Sequence, residues 1–385
     1  MNHRTHQRYP TNAQHGAGTS VPEVRSDATS GPEPGNSGSR QRATLVAPSG
    51  VTAASRRVSG DAPRSVKARH LLPRQAELEA LKTLERFRVI RTIDVAVTCY
   101  PERTFKAALT AAQRTVRRLV KKDLIRRYRT DRFQTVYGLT KKGADWLDEQ
   151  GVEASSSVRR VSDMTNPEHR LWLQFLVLCA QARGLRALTE SELLAELNRG
   201  VTDLSKARQG YTTVLVQRAK GSTRRELRPD CVIFEEDGAT WVEVDRSKRG
   251  SEREASLAAL AGAIGRKAAD GKVIRRVVVF CKTGRIEQRA LAVLRRLAGE
   301  LAQHILIEGR QHLRETEPGT FEVWTAALKP LPGEHSQLVD MRTGHILVQR
   351  LPIWLPKVRI DSSNSHSTAG WFGENYLPHR RPGGW

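Results

Sequence analysis

The chain has 385 residues, and its 64 Lys and Arg residues outnumber its 41 Asp and Glu residues, which gives a formal net charge of +23 at pH 7. This imbalance favours a polyanionic partner such as DNA or RNA over a small metabolite. No apolar stretch approaches the length of a membrane-spanning helix, and the N-terminus lacks the apolar segment of a secretory signal. We therefore expect a cytoplasmic protein that has no membrane partner.

Composition divides the chain into two patterned blocks and two tails. Residues 1–68 are rich in Gly, Ser, Thr, Pro, Ala and Arg, without periodicity, and are expected to form a disordered basic arm. Residues 356–385 are expected to form a second disordered tail. The patterned blocks between them, residues 70–150 and 165–330, are expected to be two folded domains of mixed α/β (α+β) class. The four cysteines are too far apart for a paired metal motif and are expected to be buried free thiols.

The first block predicts three helices, a hairpin and a fourth helix. Apolar spacing and turn residues place these elements as follows: helices at 73–88, 91–98 and from 104 to about 122, strands at 125–130 and 133–139, and a last helix capped by Thr140. The third helix is expected to bury five residues, Ala108, Ala112, Val116, Leu119 and Val120. This order, and the string RRLVKKDLIRRYRTDRFQTVYGLTKKGADWL, resembles bacterial winged-helix domains, which implies binding to double-stranded DNA.

Basic residues concentrate where such a domain would meet DNA. Residues 103–132 contain eleven Lys or Arg and two Asp or Glu. The third helix would enter the major groove, with Gln113 and Arg114 as candidates for base contacts. The phosphate-contacting candidates are Arg117, Arg118, Lys121 and Lys122 on this helix, and Arg126, Arg127, Arg129 and Arg132 on the hairpin. The alternatives are a solvated basic helix, or a domain of this shape that contacts only protein.

The second block predicts alternating helices and short strands. The pattern places helices at 166–182, 190–197, 252–267 and 286–300, and strands at 212–217, 227–234, 240–246, 276–281 and 304–307. A Pro-Asp pair, Pro229-Asp230, lies on the second of these strands. An acidic pair, Glu243 and Asp245, lies on the third, and strand alternation puts both of its side chains on one face.

This arrangement resembles the restriction-endonuclease-like PD-(D/E)XK fold. The resemblance implies that Asp230 and Glu243 bind Mg²⁺, with Glu168 on the first helix as a further acidic residue. Asp245 stands where that family has lysine, so three carboxylates could converge, and Arg246 or Lys248 could supply the missing cation. Three interpretations stay open: an active nuclease that uses Asp230, Glu243 and Asp245, a fold that binds without cutting, and ion pairs of Asp230 and Glu243 with Arg228 or Arg246.

The two halves together resemble the replication-relaxation family of plasmid and mobile-element proteins. The residues that carry this resemblance are the winged-helix string, PEHRLWL, TESELL, RPD and EVDR. It implies an accessory factor for plasmid replication or mobilisation, with double-stranded DNA and a relaxase or replication initiator as partners. The alternatives are a Mg²⁺-dependent endonuclease and a winged-helix transcriptional regulator.

Overall fold

The computed structural model describes residues 66–130, 134–154, 167–182, 184–218, 221–245, 250–332, 335–353 and 355. Within these residues it contains eight α-helices, one seven-stranded mixed sheet and two separate two-stranded sheets, so the expected mixed α/β class is confirmed. Across the same residues, no helix combines the length and the hydropathy that crossing a bilayer requires.

The N-terminal elements occur in the predicted order. They are α1 (Val66–Phe87), α2 (Thr92–Cys99), α3 (Phe105–Lys121), β1 (Ile125–Arg129), β2 (Thr135–Leu139) and α4 (Lys141–Glu149). Thr140 caps α4 by accepting a hydrogen bond from the backbone N–H of Gly143. The helices enclose a common core that includes Leu81, Ala112 and Leu119. The prediction that Val120 is also buried is wrong, because it lies about 100° around the helix from Leu119 and is exposed.

The large sheet has the strand order β3-β6-β7-β8-β11-β10-β9. In this order its strands are β3 (Arg186–Thr189), β6 (Cys231–Glu235), β7 (Gly238–Asp245), β8 (Ile274–Cys281), β11 (Ser336–Arg350), β10 (Thr320–Pro330) and β9 (Leu313–Glu317). Strands β3, β6 and β7 form an antiparallel run. Strand β8 is parallel to both β7 and β11, and the remaining pairs are antiparallel.

Helices cover both faces of this sheet. On one face, α5 (Pro167–Ala182) buries Phe175 against Val242 and Phe280. The N-terminal elements contribute Phe87 and Val136 to the same apolar cluster. On the other face lie α7 (Ser251–Ala261) and α8 (Gly284–Leu301), which pack over the strand residues that alternate with the first set, such as Trp241.

A short helix and a hairpin lie between β3 and β6. The helix is α6 (Glu190–Leu197), and the hairpin consists of β4 (Thr212–Arg218) and β5 (Gly221–Leu227), which pair only with each other. The strand predicted over 212–217 is confirmed as β4, but it lies outside the main sheet. In the main sheet the strand at this point of the chain is β3, which the sequence analysis did not predict.

Two further predicted elements differ from the structure. Residues 304–307 do not form a strand, because the backbone N–H groups of Ile307 and Glu308 donate to the Asp340 carboxylate, and Ile305 makes only an isolated bridge. The helix predicted over 252–267 ends at Ala261, since Gly265 adopts a φ of +83° that an α-helix cannot contain. The sheet also continues through β11 to Arg350, twenty residues past the boundary expected for the second domain.

A row of polar side chains is buried across the centre of the sheet. Arg276 on β8 pairs in register with Thr240 on β7 and with His345 on β11, and His345 in turn pairs with Glu322 on β10. Arg276 and His345 are fully buried. Arg276 forms ion pairs with Glu235 and Asp237 at the turn between β6 and β7. These pairs place two acidic groups beside a guanidinium that is completely desolvated.

This row predicts a loss of stability in mild acid. Burial, together with the Arg276 and Arg342 guanidiniums, lowers the pKa of His345 to about 4, against the opposing charges of Asp237 and Glu322. The unfolded chain binds a proton near pH 6.5 and the folded chain does not until about pH 4, so stability is full above pH 6.5 and falls as the pH drops through this window. The expected loss is on the order of 3 kcal/mol.

The measurement is urea denaturation from pH 7 to pH 4. His345→Gln removes the titrating ring, so we expect a shallower dependence of the unfolding free energy on pH than in the wild type. The matched control is His304→Gln at an exposed position, which should keep the wild-type slope. An unchanged slope in His345→Gln would assign the acid sensitivity to other groups.

Candidate functional site

The first candidate site is the exposed face of α3. This helix buries Ala112, Thr115 and Leu119 and turns Gln113, Arg114, Arg117 and Lys121 to the surface. These four side chains have no partner among the described residues.

Strand β1 adds the exposed Arg126, Arg127 and Arg129, of which Arg127 donates a 3.4 Å hydrogen bond to the Thr135 hydroxyl. Arg132 lies outside the described residues. The face is therefore a dense row of cations that are available to a polyanion.

Two of the predicted DNA-binding residues are instead engaged within the protein. Glu77 on α1 is buried and accepts a hydrogen bond of 2.8 Å from Arg118 Nε and another from Lys122 Nζ. Arg118 also donates to the hydroxyl of Thr115, which is hydrogen bonded to Tyr100 OH at 2.7 Å. These contacts fix α3 against α1 and α2, so Arg118 and Lys122 orient the helix that presents the free cations.

Sequence reasoning missed Glu77, although the sequence contains a signal for it. Glu77 lies four residues before Leu81 and seven before Leu84, which is the spacing of the apolar face of α1. A carboxylate at such a position is expected to find a cation when it becomes buried. Two basic residues on the neighbouring helix satisfy that requirement here.

The second candidate site is the acidic group at the ends of β6 and β7. Asp230 immediately precedes β6, and its backbone N–H donates to Val242 O on β7. Its carboxylate Oδ2 accepts a 2.7 Å hydrogen bond from the N–H of Val244 and lies 3.1 Å from Nε2 of His169 on α5. Its carbonyl oxygen accepts from the N–H of Glu190 at the start of α6. One residue thus connects two strands and two helices.

The structure also brings His169 to this group. It lies in the first turn of α5, next to Glu168, and its side chain is about a quarter exposed. Its Nε2 donates to Asp230 when that nitrogen carries the proton, and the contact becomes an ion pair when the ring is charged. His169 is therefore a direct hydrogen-bonding partner of Asp230.

The other two carboxylates have partners of their own. Glu243 Oε1 accepts a 2.7 Å hydrogen bond from the indole N–H of Trp241, two residues earlier on the same face of β7. Asp245 Oδ1 lies 3.6 Å from Arg253 on α7. Asp230 is thus bonded to a helix on one face of the sheet, and Asp245 faces a helix on the opposite face.

The expected convergence of three carboxylates is not present. Among the described residues, no three His, Cys, Asp or Glu side chains are grouped so that they could hold a metal ion. Arg228 forms its ion pair with Glu190 at 3.0 Å. Arg246 and Lys248, the candidate replacement cations, lie outside the described residues.

The thiol beside this group is buried. Cys231 is fully buried, and burial raises its pKa well above the ordinary value, with the nearby Asp230, Glu243 and Glu192 carboxylates adding to the effect. A thiol that stays protonated is neither a nucleophile nor a metal ligand. All four cysteines are free, as the sequence predicted, and three of them are buried, whereas Cys99 is partly exposed.

Comparison of the chain with protein-family models, with curated proteins and with solved structures gave no match.

The contacts of Asp230 predict its contribution to stability. Asp230→Ala leaves the Val244 N–H without its acceptor and His169 without its partner, so we expect the free energy of unfolding to fall by about 2–4 kcal/mol. Asp230→Asn keeps an acceptor oxygen and should cost less, about 1 kcal/mol. Urea denaturation at pH 7 measures both values.

The control for this prediction is Asp145→Ala, which removes an exposed carboxylate on α4 and should change stability by less than about 0.5 kcal/mol. If Asp230→Ala proved as stable as this control, Asp230 would not hold the strand ends together.

Proposed function

We propose that the chain binds double-stranded DNA through α3 and β1, in the manner of a winged helix. The observation that carries the proposal is the exposed, unpartnered row Gln113, Arg114, Arg117 and Lys121 on a helix whose orientation is fixed through Glu77. The order of α1, α2, α3 and the β1–β2 hairpin is the order of winged-helix domains, in which the third helix enters the major groove.

The exposed residues divide into two roles in this proposal. Gln113 and Arg114 reach base edges, because their planar amide and guanidinium groups match the hydrogen-bonding patterns of adenine and guanine. Arg117 and Lys121 bind phosphates, together with Arg126, Arg127 and Arg129 on β1. Affinity would therefore depend strongly on salt, and sequence choice would depend on few side chains.

The α/β part supports an accessory function without catalysis. When α6 and the β4–β5 hairpin are set apart as an insertion, the succession α5, β3, β6, β7, α7 and β8, with β7 parallel to β8, matches the order of elements that the PD-(D/E)XK resemblance implies. Its carboxylates are held by protein groups: Asp230 by His169, Glu243 by Trp241 and Asp245 by Arg253. We infer a retained nuclease-like fold in a factor for plasmid or mobile-element replication or mobilisation, with a relaxase or replication initiator as its partner.

The test of DNA binding is fluorescence anisotropy with labelled duplex DNA over a range of salt concentrations. Arg114→Ala, Arg117→Ala and Lys121→Ala combined should weaken binding and lower the slope of log affinity against log salt by about 2, because the phosphate contacts of Arg117 and Lys121 are lost. The Arg114 substitution removes a base contact in addition.

The control variant removes the same charge elsewhere. Arg285→Ala, Arg296→Ala and Lys329→Ala combined alter three exposed residues of α8 and β10 and should leave the slope within about 1 of the wild type. Equal slopes in the two triple variants would refute the α3 interface. Binding confined to one promoter sequence and released by a small ligand would favour a transcriptional regulator.

The second candidate function is a Mg²⁺-dependent endonuclease that uses Asp230, Glu243 and Asp245. It is favoured by one observation: Cys231 pairs with Val242, so Asp230 lies beside Glu243 at adjacent strand positions. On the accessory proposal, supercoiled plasmid incubated with the protein in Mg²⁺ or Mn²⁺ should stay supercoiled. Nicked or linear product that is absent with Glu243→Ala would establish the endonuclease instead.

A further inference from the structure

The segment inserted between β3 and β6 is strongly basic. Residues 199–228 contain eight Lys or Arg and two Asp or Glu. The segment includes the β4–β5 hairpin, which is not part of the main sheet. Because β5 leads through Arg228 and Pro229 directly to Asp230, the base of the hairpin lies beside the acidic strand ends. The insertion therefore brings positive charge to the part of the α/β unit that a nuclease-like fold would turn toward DNA.

The two faces of the hairpin have different environments. Val214 and Val216 are buried, and Arg225, which pairs in register with Val214, forms an ion pair with Glu252 of α7. The alternate residues face away from the protein. Among them Leu215, whose residue is 62% exposed, pairs in register with the exposed Arg224. An apolar side chain thus stands next to a guanidinium on an open surface.

Two more arginines lie near this open face. Gln209 N–H donates to the Glu226 carboxylate, which lies two residues from Arg224 on the same face of β5. The Asn198 side chain bonds both backbone groups of Arg208, which brings the end of α6 to the same segment. Arg199, Arg208 and Arg224 are all exposed and have no partner among the described residues. In contrast to these three arginines, the neighbouring Arg225 and Arg228 both form ion pairs.

We propose that this open face of the β4–β5 hairpin is a second duplex-DNA contact, separate from α3. Arg199, Arg208 and Arg224 bind phosphates through the planar guanidinium, which matches phosphate oxygens in a bidentate fashion. Leu215 packs against the sugar edge or the base step of the minor groove, as apolar residues do in minor-groove-binding proteins. This inference rests on the proposed DNA binding and extends it to the α/β unit.

The combination of groups favours DNA over an acidic protein. Unpaired guanidiniums beside one exposed leucine form a small patch with a single apolar contact. A protein interface of ordinary size needs a broader apolar centre. In DNA, phosphates line both edges of the minor groove, and the sugars between them present apolar surface. Three arginines can therefore bind phosphates while the one leucine contacts the sugars.

The experiment uses the full chain and a labelled 40-base-pair duplex, with anisotropy over a salt series and a hydroxyl-radical footprint. Arg199→Ala, Arg208→Ala and Arg224→Ala combined should lower the salt slope by about 3 and remove protection at one end of the footprint. Leu215→Ala should weaken binding without changing the slope, because an apolar contact releases no counterions.

Separate outcomes test the two proposals separately. A hairpin variant with the wild-type slope and footprint would overturn the hairpin contact and leave the α3 interface standing. An α3 variant that binds like the wild type, beside a hairpin variant that has lost binding, would overturn the α3 interface and support the hairpin. No binding by the wild type would overturn both. The Arg285, Arg296 and Lys329 control variant should match the wild type in each measurement.

Discussion

The Asp230 carboxylate is the point at which the α/β unit is held together. It joins the end of β7 through Val244 and joins α5 through His169, and its main chain joins β7 and α6. The Asp230 side chain is about a fifth exposed, and these donors offset the hydration that the covered part of the carboxylate has lost. These contacts help to fix the first turn of α5 and the start of α6, while the apolar side chains of α5 pack on the sheet.

This constraint also explains why the acidic residues do not form a single cluster. Asp230 bonds His169 on α5, Glu243 bonds Trp241 on its own strand, and Asp245 lies close to Arg253 on α7. Like charges at such short range repel one another, and each carboxylate here lies next to a donor of its own instead. The same principle operates at α1, where Glu77 is paired with two cations, and at the centre of the sheet, where Arg276 is paired with two acids.

Local patterns in the sequence were sufficient for several helices and for strands β7 and β8, and were not sufficient for the strand order of the sheet. Helices α3, α4 and α8 carry regular apolar spacing, and Thr140 and Thr283 cap the last two, so their positions could be predicted. Strand β11 could not, because its place between β8 and β10 depends on a partner some 70 residues earlier in the chain. The apolar residues 305–307 were misleading, since a distant carboxylate, Asp340, binds the backbone N–H groups there. At the candidate sites, the residue types could be predicted from the sequence. The pairing of Arg118 and Lys122 with Glu77 could not, because it depends on how α3 packs against α1.

The distribution of paired and unpaired cations separates structure from binding. A chain with a net charge of +23 repels itself, so each cation that folding fixes in place is best matched with an acid. Arg118, Lys122 and Arg276 follow that rule at buried or half-buried contacts between elements. The exposed cations of α3 and of the β4–β5 hairpin do not follow it, although acidic residues occur nearby in the sequence. Leaving them unmatched raises the energy of the free protein, and a polyanion that neutralises them recovers this energy on binding. This contrast between matched and unmatched cations is the reason for proposing that α3 and the hairpin segment bind a polyanion.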